Sequence, residues 1–475
     1  MIYSTPEFVL LFLLTFLAYV CAPGRRTRFA VLLAASLAFY AWTGPTDTAV
    51  FLCVVAGSWL SAALARRDPA RKRIFLSGGI VLMALHLFFW KYAPWAVSQA
   101  QAVWPGFLRG RGLDLPLPIG LSFFTLQGIA YLADYAADEA KYMSFPTYLL
   151  FKSFFAQLVA GPIVRAKQLL PQLERLERPR WEDVSFGLFL FTAGFFKKLA
   201  IADRVAPFVD EVFLRPDRFG RAVLIKAVLG YSAQIWADFS GYTDMGRGAA
   251  RMLGIRLPEN FLSPYLARGP AEFWRRWHVT LGEWIRDYLY APLGGGRGSP
   301  IRVFGVVVLV MSLSGLWHGA SWTFLIWGLY HGLLLAVDRG LRLGERARRP
   351  PERIAAVAVT FSLVAFGWLI FRAGSTAAVY SYVSALARGG GGASPLEGRL
   401  LVPLSLAIAI QFAGYYDLET RRWTTLERLK AGRVWAACAR KPSLAFGLGA
   451  LVAATFAAAL LLRPDSRVGF IYFQF

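Results

Sequence analysis

Long apolar runs separated by short polar stretches organise this chain. Runs near 7–22, 28–43, 48–65, 74–95, 302–316, 321–337, 354–371, 401–413 and 443–462 each approach the ~17–25 residues that cross a bilayer as a helix. With further apolar stretches at 117–135, 147–163, 184–201 and 222–237, the pattern predicts about ten to thirteen membrane segments. They are expected to be helical, because backbone immersed in lipid must hydrogen-bond within helices or a closed barrel, and the alternation of barrel strands is absent. The expected fold class is therefore all-α and polytopic. The first run begins near Met1, with no Lys or Arg before it and no convincing small-residue cleavage site, and reads as a retained helix rather than a signal peptide.

The middle of the chain departs from this simple grammar. Pro118, Gly120, Pro162, Pro258, Pro264, Pro270 and Pro292 break the apolar pattern, and irregular backbone at membrane depth must be buried or line a cavity. Three zones result within a single integral membrane domain, 1–475: N-terminal helices to 112, a motif-dense core over 113–338, and C-terminal helices over 339–475 that include the Gly run 389–392 and the basic linker 421–441. No long hydrophilic block interrupts them, so any activity is expected within the membrane body.

Composition agrees, with 56% hydrophobic and 17% charged residues among 475, against about a quarter charged in soluble domains. Lys plus Arg number 52 against 29 Asp plus Glu, a net +23 that in a soluble chain would suggest nucleic acid. Here the positive residues punctuate helices, and no nucleic-acid partner is expected. Arg25, Arg26 and Arg28 follow the first run and Arg66, Arg67, Arg71, Lys72 and Arg73 the third, while the linkers after the second and fourth are nearly free of them. The positive-inside rule then places the N-terminus outside the cytoplasm. Strict alternation fails at 163–183, which carries Arg165, Lys167, Arg175, Arg178 and Arg180, so some middle segments are expected to be re-entrant or interfacial. Cys21, Cys53 and Cys438 are too dispersed for a metal cluster, and no disulfide framework is implied. Neither a metal nor a bound cofactor is expected.

Four histidines are the sharpest candidates for chemistry. His318 stands in Ser314-Gly315-Leu316-Trp317-His318-Gly319-Ala320 at the end of an apolar run, and ionisable groups at membrane depth tend to mark function. Gly315 and Gly319 form a small-xxx-small step that lets a helix or substrate approach closely. On residue chemistry alone, a satisfied core histidine explains His318 about as well. His331 repeats the pattern in Gly328-Leu329-Tyr330-His331-Gly332, but on one helix thirteen residues would set the two imidazoles ~20 Å and ~220° apart, which favours packing. His278 lies in Phe273–Leu289, where a helical wheel gathers Trp274, Trp277, Leu281, Trp284, Ile285, Tyr288 and Leu289 on one face with His278 among them. This predicts an interfacial amphipathic helix that turns one histidine away from water. His86, between Leu85 and Leu87, reads as structural. The string Asp238-Phe239-Ser240-Gly241-Tyr242-Thr243-Asp244-Met245-Gly246-Arg247 follows an apolar run. It reads either as a structural ion pair, with Asp244 and Arg247 in reach of each other, or as a wall of a reaction cavity. No phosphate loop, HExxH, GxSxG or paired-cysteine motif is present in the sequence.

At these residues the chain resembles the membrane-bound O-acyltransferase (MBOAT) family, and within it the bacterial alginate O-acetyltransferase branch. The resemblance covers Leu117–Gln127, Leu158–Ile163, Phe196–Arg204, Asp238–Arg247, Pro258-Glu259-Asn260-Phe261, Trp274–Leu281, Trp317-His318-Gly319 and the terminal Phe470–Phe475. Single strings are weak and the set is specific. It implies a bowl-shaped helical body with a thinned centre, a catalytic histidine at His318 and a second family histidine at His278. Asp238, Ser240, Tyr242, Asp244, Asn260, Trp274, Arg276 and Trp317 are the accompanying candidates for substrate binding.

Acyl transfer to a hydroxyl needs a base or an intermediate acyl carrier and stabilisation of charge on the carbonyl oxygen, and a neutral imidazole serves either way. The resemblance implies acetyl-CoA as donor, its phosphates drawn to a basic rim. It also implies a periplasmic acetyltransferase or acceptor protein that passes the acetyl to an alginate-like polysaccharide, and a site in the bacterial inner membrane. Two rivals are D-alanyl transfer toward teichoic acid from a carrier-protein thioester and a non-enzymatic polysaccharide channel, the latter expected to show paired half-repeats.

Overall fold

Each apolar run of the first half becomes a helix whose ends follow local chemistry. The computed structural model describes residues 2–104, 106, 107, 112, 113, 115–159, 161–341 and 349–420; the run 443–462, the linker 421–441, Cys438 and the string Phe470–Phe475 lie outside these. Two units emerge, the first drawn from Met1–Leu188 and Gly246–Pro258, the second from Phe189–Met245 and Glu259–Phe475. The first carries α1 (Pro6–Cys21), α2 (Arg25–Ala41), α3 (Pro45–Arg67), α4 (Lys72–Lys91), α5 (Ala93–Val103), α6 (Leu121–Ala136), α7 (Phe145–Ser153) and α8 (Ala166–Leu173), followed by the start of α9 (Trp181–Phe196). Proline stands in the first turn of α1, α3 and α7, where its missing N–H has no helical partner to lose.

The first unit accounts for the broken charge alternation. Helix α7 has 9 residues and α8 has 8, about 12–14 Å each at 1.5 Å per residue and too short to span. The expected 147–163 membrane segment is therefore corrected to a short helix that ends at Ser153, followed by turns over 155–159. The chain then returns toward the first loop: Arg25 Nη1 donates to Glu174 O at 3.0 Å, Arg28 Nη1 to Leu176 O at 3.1 Å and Tyr19 Oη to Glu177 O at 3.2 Å. The basic stretches 25–28 and 174–180 are thus neighbours in the fold. Lys72 pairs with Asp138 at 2.5 Å and Lys167 with Glu139 at 3.0 Å, tying the neighbouring loops together.

The second unit holds the end of α9, a π-helical turn over Lys197–Ala202, α10 (Asp203–Leu214), most of α11 (Arg221–Met252), α12 (Pro270–Arg276), α13 (Val279–Ile285), α14 (Pro300–His318), α15 (Trp322–Leu341), α16 (Pro350–Arg372), α17 (Thr376–Arg388) and α18 (Leu401–Thr420). Its core is aromatic, with Trp277, Trp327, Trp368, Tyr231 and Tyr382 at most 2% exposed. The Asp238–Arg247 string lies inside the 32-residue α11 rather than beyond the end of an apolar helix. Among the described residues six helices are long and apolar enough to cross a membrane, Pro45–Arg67, Pro69–Lys91, Trp181–Leu214, Pro300–His318, Pro350–Arg372 and Glu397–Tyr415, and Pro6–Cys21 is a shorter apolar one. With β-pairing among the described residues limited to two isolated bridges, the chain is an all-α multi-pass membrane protein.

Helices α14 and α15 are the tightest pair. Gly315 of α14 lies against Phe324 O and Gly328, and Gly328 of α15 against Met311 O and the Ser312 Cα, so that a Cβ at either would overlap the partner backbone. The two echoing small-residue motifs are the two halves of one antiparallel contact.

Candidate active site

His278 owes its position to a break that the helical wheel does not reveal. The continuous amphipathic helix expected over 273–289 is corrected to α12 and α13, with Trp277 and His278 between them and a π turn over Arg286–Tyr290 after them. His278 takes the left-handed conformation, φ 44° and ψ 54°, which is uncommon for a residue with a Cβ and persists only where surroundings enforce it. Asn260 supplies that enforcement. Its carbonyl accepts Val279 N at 3.0 Å, and its Oδ1 accepts Thr280 N at 3.2 Å and Thr280 Oγ1 at 2.7 Å. Leu262 N donates to Arg276 O at 2.9 Å and Phe261 forms a bridge with Trp277. The imidazole is 1% exposed, and burial pushes its pKa down to about 3, so it is neutral at any physiological pH.

Indoles join the histidines. The His278 ring meets the edge of Phe239 at 4.7 Å and Trp317 at 6.4 Å, and Trp317 in turn meets His318 at 4.9 Å. His318, the last residue of α14, also packs on Trp327 at 5.2 Å and Phe371 at 5.4 Å. His331 is on α15, across the turn, so the single-helix geometry does not apply: both imidazoles touch Trp327, His331 at 5.0 Å. One indole separates them, where one helix would have set them ~20 Å apart. His86 belongs to the first unit, edge-on to Trp90 at 6.3 Å.

A cavity of ≈ 1300 Å³ opens beside His278, larger than the about 300–1,000 Å³ usual for small-molecule pockets. Its apolar depth is formed by Trp274, Trp277, Val310 and Met311 with Ser314, one turn before His318, and its rim carries Arg268, Arg275, Arg286, Arg339 and Arg353. Glu272, Glu283 and Asp338 are the acidic groups on the lining. Glu272 is committed: Arg268 and Arg276 both pair with it. Burial would raise its pKa, but the Arg268 hydrogen bonds and the two guanidinium charges outweigh that and hold the carboxyl below its usual range. Asp338 Oδ2 accepts Ala271 N at 2.8 Å, capping the start of α12. Arg286 pairs with Asp287 at 2.7 Å, and Arg275, Arg339 and Arg353 leave the rim with an excess of positive charge.

Of the candidates from sequence, His278 and Trp274 line the cavity, and Trp317 links His278 to His318. Asn260 positions His278 from behind. Arg276 is taken up by Glu272 and by the Tyr415 ring, 5.2 Å from its guanidinium carbon. Asp238, Ser240 and Asp244 belong to a buried lysine network: Lys198 Nζ lies 2.8 Å from Asp238 Oδ1 and 2.7 Å from Asp203 Oδ1, and Lys197 Nζ 2.5 Å from Asp244 Oδ2 and 3.5 Å from Ser240 Oγ. Tyr242 is buried beside them on α11. Both lysines sit at the start of the π-helical turn, a feature often found at functional sites. Sequence reasoning passed over these lysines as partners, although Lys197-Lys198 inside an apolar run was a signal for buried carboxylates. It also missed the arginine rim, whose members lie on separate elements.

The fold and the site define a multi-pass membrane protein with a neutral, buried histidine, His278, on the wall of a basic cavity and a second, His318, linked to it through Trp317. The chain belongs to the MBOAT, membrane-bound O-acyltransferase, family, whose profile matches residues 121–372, and it is an O-acyltransferase. It is 39% identical over 388 residues to a Pseudomonas putida protein named probable alginate O-acetylase AlgI, covering 78% of this chain and 77% of that one. It is 35% identical over 408 residues to the peptidoglycan O-acetyltransferase of Helicobacter pylori, covering 78% and 77%. It is 27% identical over 335 residues to the teichoic acid D-alanyltransferase of Bacillus subtilis, covering 66% and 81%.

Proposed function

We propose that this acyltransferase moves an acetyl group from acetyl-CoA to the hydroxyls of an extracytoplasmic polysaccharide, alginate-like in chemistry, from a site in the bacterial inner membrane and through a periplasmic acetyltransferase or acceptor protein. The observation that carries the reading is the cavity itself: an arginine rim suited to a polyanionic donor head, and an apolar, aromatic depth suited to a thioester arm, with His278 and Ser314 on its walls. His318, packed among Trp317, Trp327 and Phe371, is the base for the acceptor hydroxyl or the transient acyl carrier, and either role uses a neutral imidazole. His278 faces the cavity as the second histidine. The O-acetylase and O-acetyltransferase names of the more similar relatives support acetyl over D-alanyl transfer.

Acetyl transfer from radiolabelled acetyl-CoA in proteoliposomes tests this, comparing the native chain with His318→Ala, His278→Ala and the double variant Arg339→Gln/Arg353→Gln after each is shown to fold and insert. Loss of transfer in His318→Ala and a raised KM for acetyl-CoA in the arginine variant are expected. Undiminished transfer in His318→Ala would remove that residue from the chemistry. Native protein that transfers D-alanine from a carrier thioester, and no acetyl, would replace the acetyl-CoA reading.

A further inference from the structure

The N–H groups of one buried aromatic cluster have no role in the chemistry above. Trp274, Trp327 and His331 touch one another, with ring centroids 5.6 Å apart for the two indoles and 5.1 Å and 5.0 Å from the imidazole. Trp274 Nε1, Trp327 Nε1 and both His331 ring nitrogens are buried without a hydrogen-bond partner among the described residues. Trp327 and His331 are each 1% exposed. Burying a polar group with nothing to bind costs roughly 1–3 kcal/mol against an apolar residue of similar shape, so packing alone would be better served by Phe or Leu at these positions. The cluster is placed for chemistry as well. Trp274 lines the cavity together with Met311 and Leu335, the latter one turn beyond His331 on α15, and Trp327 packs directly against His318. His331 Nε2 faces Gly367 of α16 so closely that a Cβ there would overlap it.

We propose that Trp274, Trp327 and His331 form the acyl subsite, in which the two indole N–H groups and the imidazole N–H of His331 hold the carbonyl oxygen of a short acyl thioester. This rests on the acyl-transfer reading above. The acceptor hydroxyl oxygen attacks the thioester carbon, its proton passes to His318, and the carbonyl π pair moves onto the oxygen that these donors hold. Collapse re-forms the carbonyl and breaks the C–S bond, and the proton on His318 goes to the departing thiolate. Donors fixed in rigid aromatic packing and sheltered from water are the arrangement that favours developing negative charge most strongly. The ligand class is a carbonyl oxygen that becomes anionic.

Trp274→Phe and Trp327→Phe delete one N–H each and keep an aromatic ring, and His331→Gln keeps a donor of different reach. Steady-state transfer of acetyl from acetyl-CoA is measured for each in proteoliposomes, with thermal stability in detergent measured alongside. The expected result is a fall in kcat of ~10²-fold for each tryptophan variant, the order seen when one such donor is lost, with KM for the donor little changed and the thermal stability of Trp274→Phe at or above native. His331→Gln retains more activity than His331→Leu. Native kcat in Trp274→Phe and Trp327→Phe, with an active native chain, overturns the subsite alone. An inactive native chain overturns the acyl-transfer reading and the subsite with it. Loss of stability in parallel with kcat in the half-buried Trp274→Phe would show a packing role and overturn the assignment.

Discussion

Replacing Asn260 by Ala separates a residue that positions from one that reacts. In the native chain Asn260 Oδ1 accepts two hydrogen bonds from Thr280, at 3.2 Å from the amide and 2.7 Å from the hydroxyl, and these anchor the first turn after His278. The change removes the acceptor of both bonds from Thr280, which is 3% exposed. At about 0.5–1.5 kcal/mol per hydrogen bond lost, stability should fall by about 1–3 kcal/mol. The left-handed conformation of His278, φ 44°, costs about 1–2 kcal/mol for a residue with a Cβ. The Asn260 carbonyl still accepts Val279 N, so the strain is released in part, and the fraction of molecules with His278 correctly placed falls by up to roughly 5- to 30-fold. Turnover should fall by the same factor at saturating donor, while Asn260→Asp, which keeps the acceptor, should recover most of it. Thermal unfolding in detergent and acetyl transfer in proteoliposomes provide the two readouts. Full native kcat in Asn260→Ala would refute the idea that this hydrogen-bonded corner holds His278 in a working position.

Lys198→Met should destabilise the protein by about 3–5 kcal/mol, because it strands Asp203 and Asp238, 5% and 2% exposed, without their shared cation; a thermal midpoint within a degree of native would contradict this. Gly315→Ala should cost at least about 1–3 kcal/mol and lower activity, since its Cβ meets Phe324 O across the α14–α15 contact, and a fully active, equally stable variant would show that the pair has slack. The His278 pKa, about 3 in the folded protein against an ordinary 6.5, means that the unfolded chain binds a proton the folded chain refuses. Its contribution is complete above pH 6.5 and declines as pH falls toward 3, by at most roughly 5 kcal/mol. Thermal midpoints from pH 7 to pH 4 should therefore drop more steeply for native protein than for His278→Asn, and equal slopes would rule out a neutral buried imidazole.

Much of the architecture was legible in the amino-acid order. Apolar runs of bilayer length announced the helices, the Gly-xxx-Gly spacing around His318 and His331 marked a close approach, and the misplaced arginines at 163–183 foretold a segment that does not cross. These are local properties, set by hydropathy and backbone sterics over a few turns. The lysine network, the arginine rim and the Trp327 bridge were not legible, because their members come from different helices and meet only when those helices pack. The break at His278 was hidden for a related reason. The wheel of 273–289 suits a single amphipathic helix, and it is Asn260, 20 residues before Thr280, that accepts the backbone and side chain of Thr280 and bends the chain there. A hydrogen bond over that separation is determined by three-dimensional proximity, which periodicity along one segment does not encode. Sequence alone therefore determined that the chain lies in a membrane and where its glycines let helices close in, whereas tertiary packing decided which groups face one another and which of them are shut away from water.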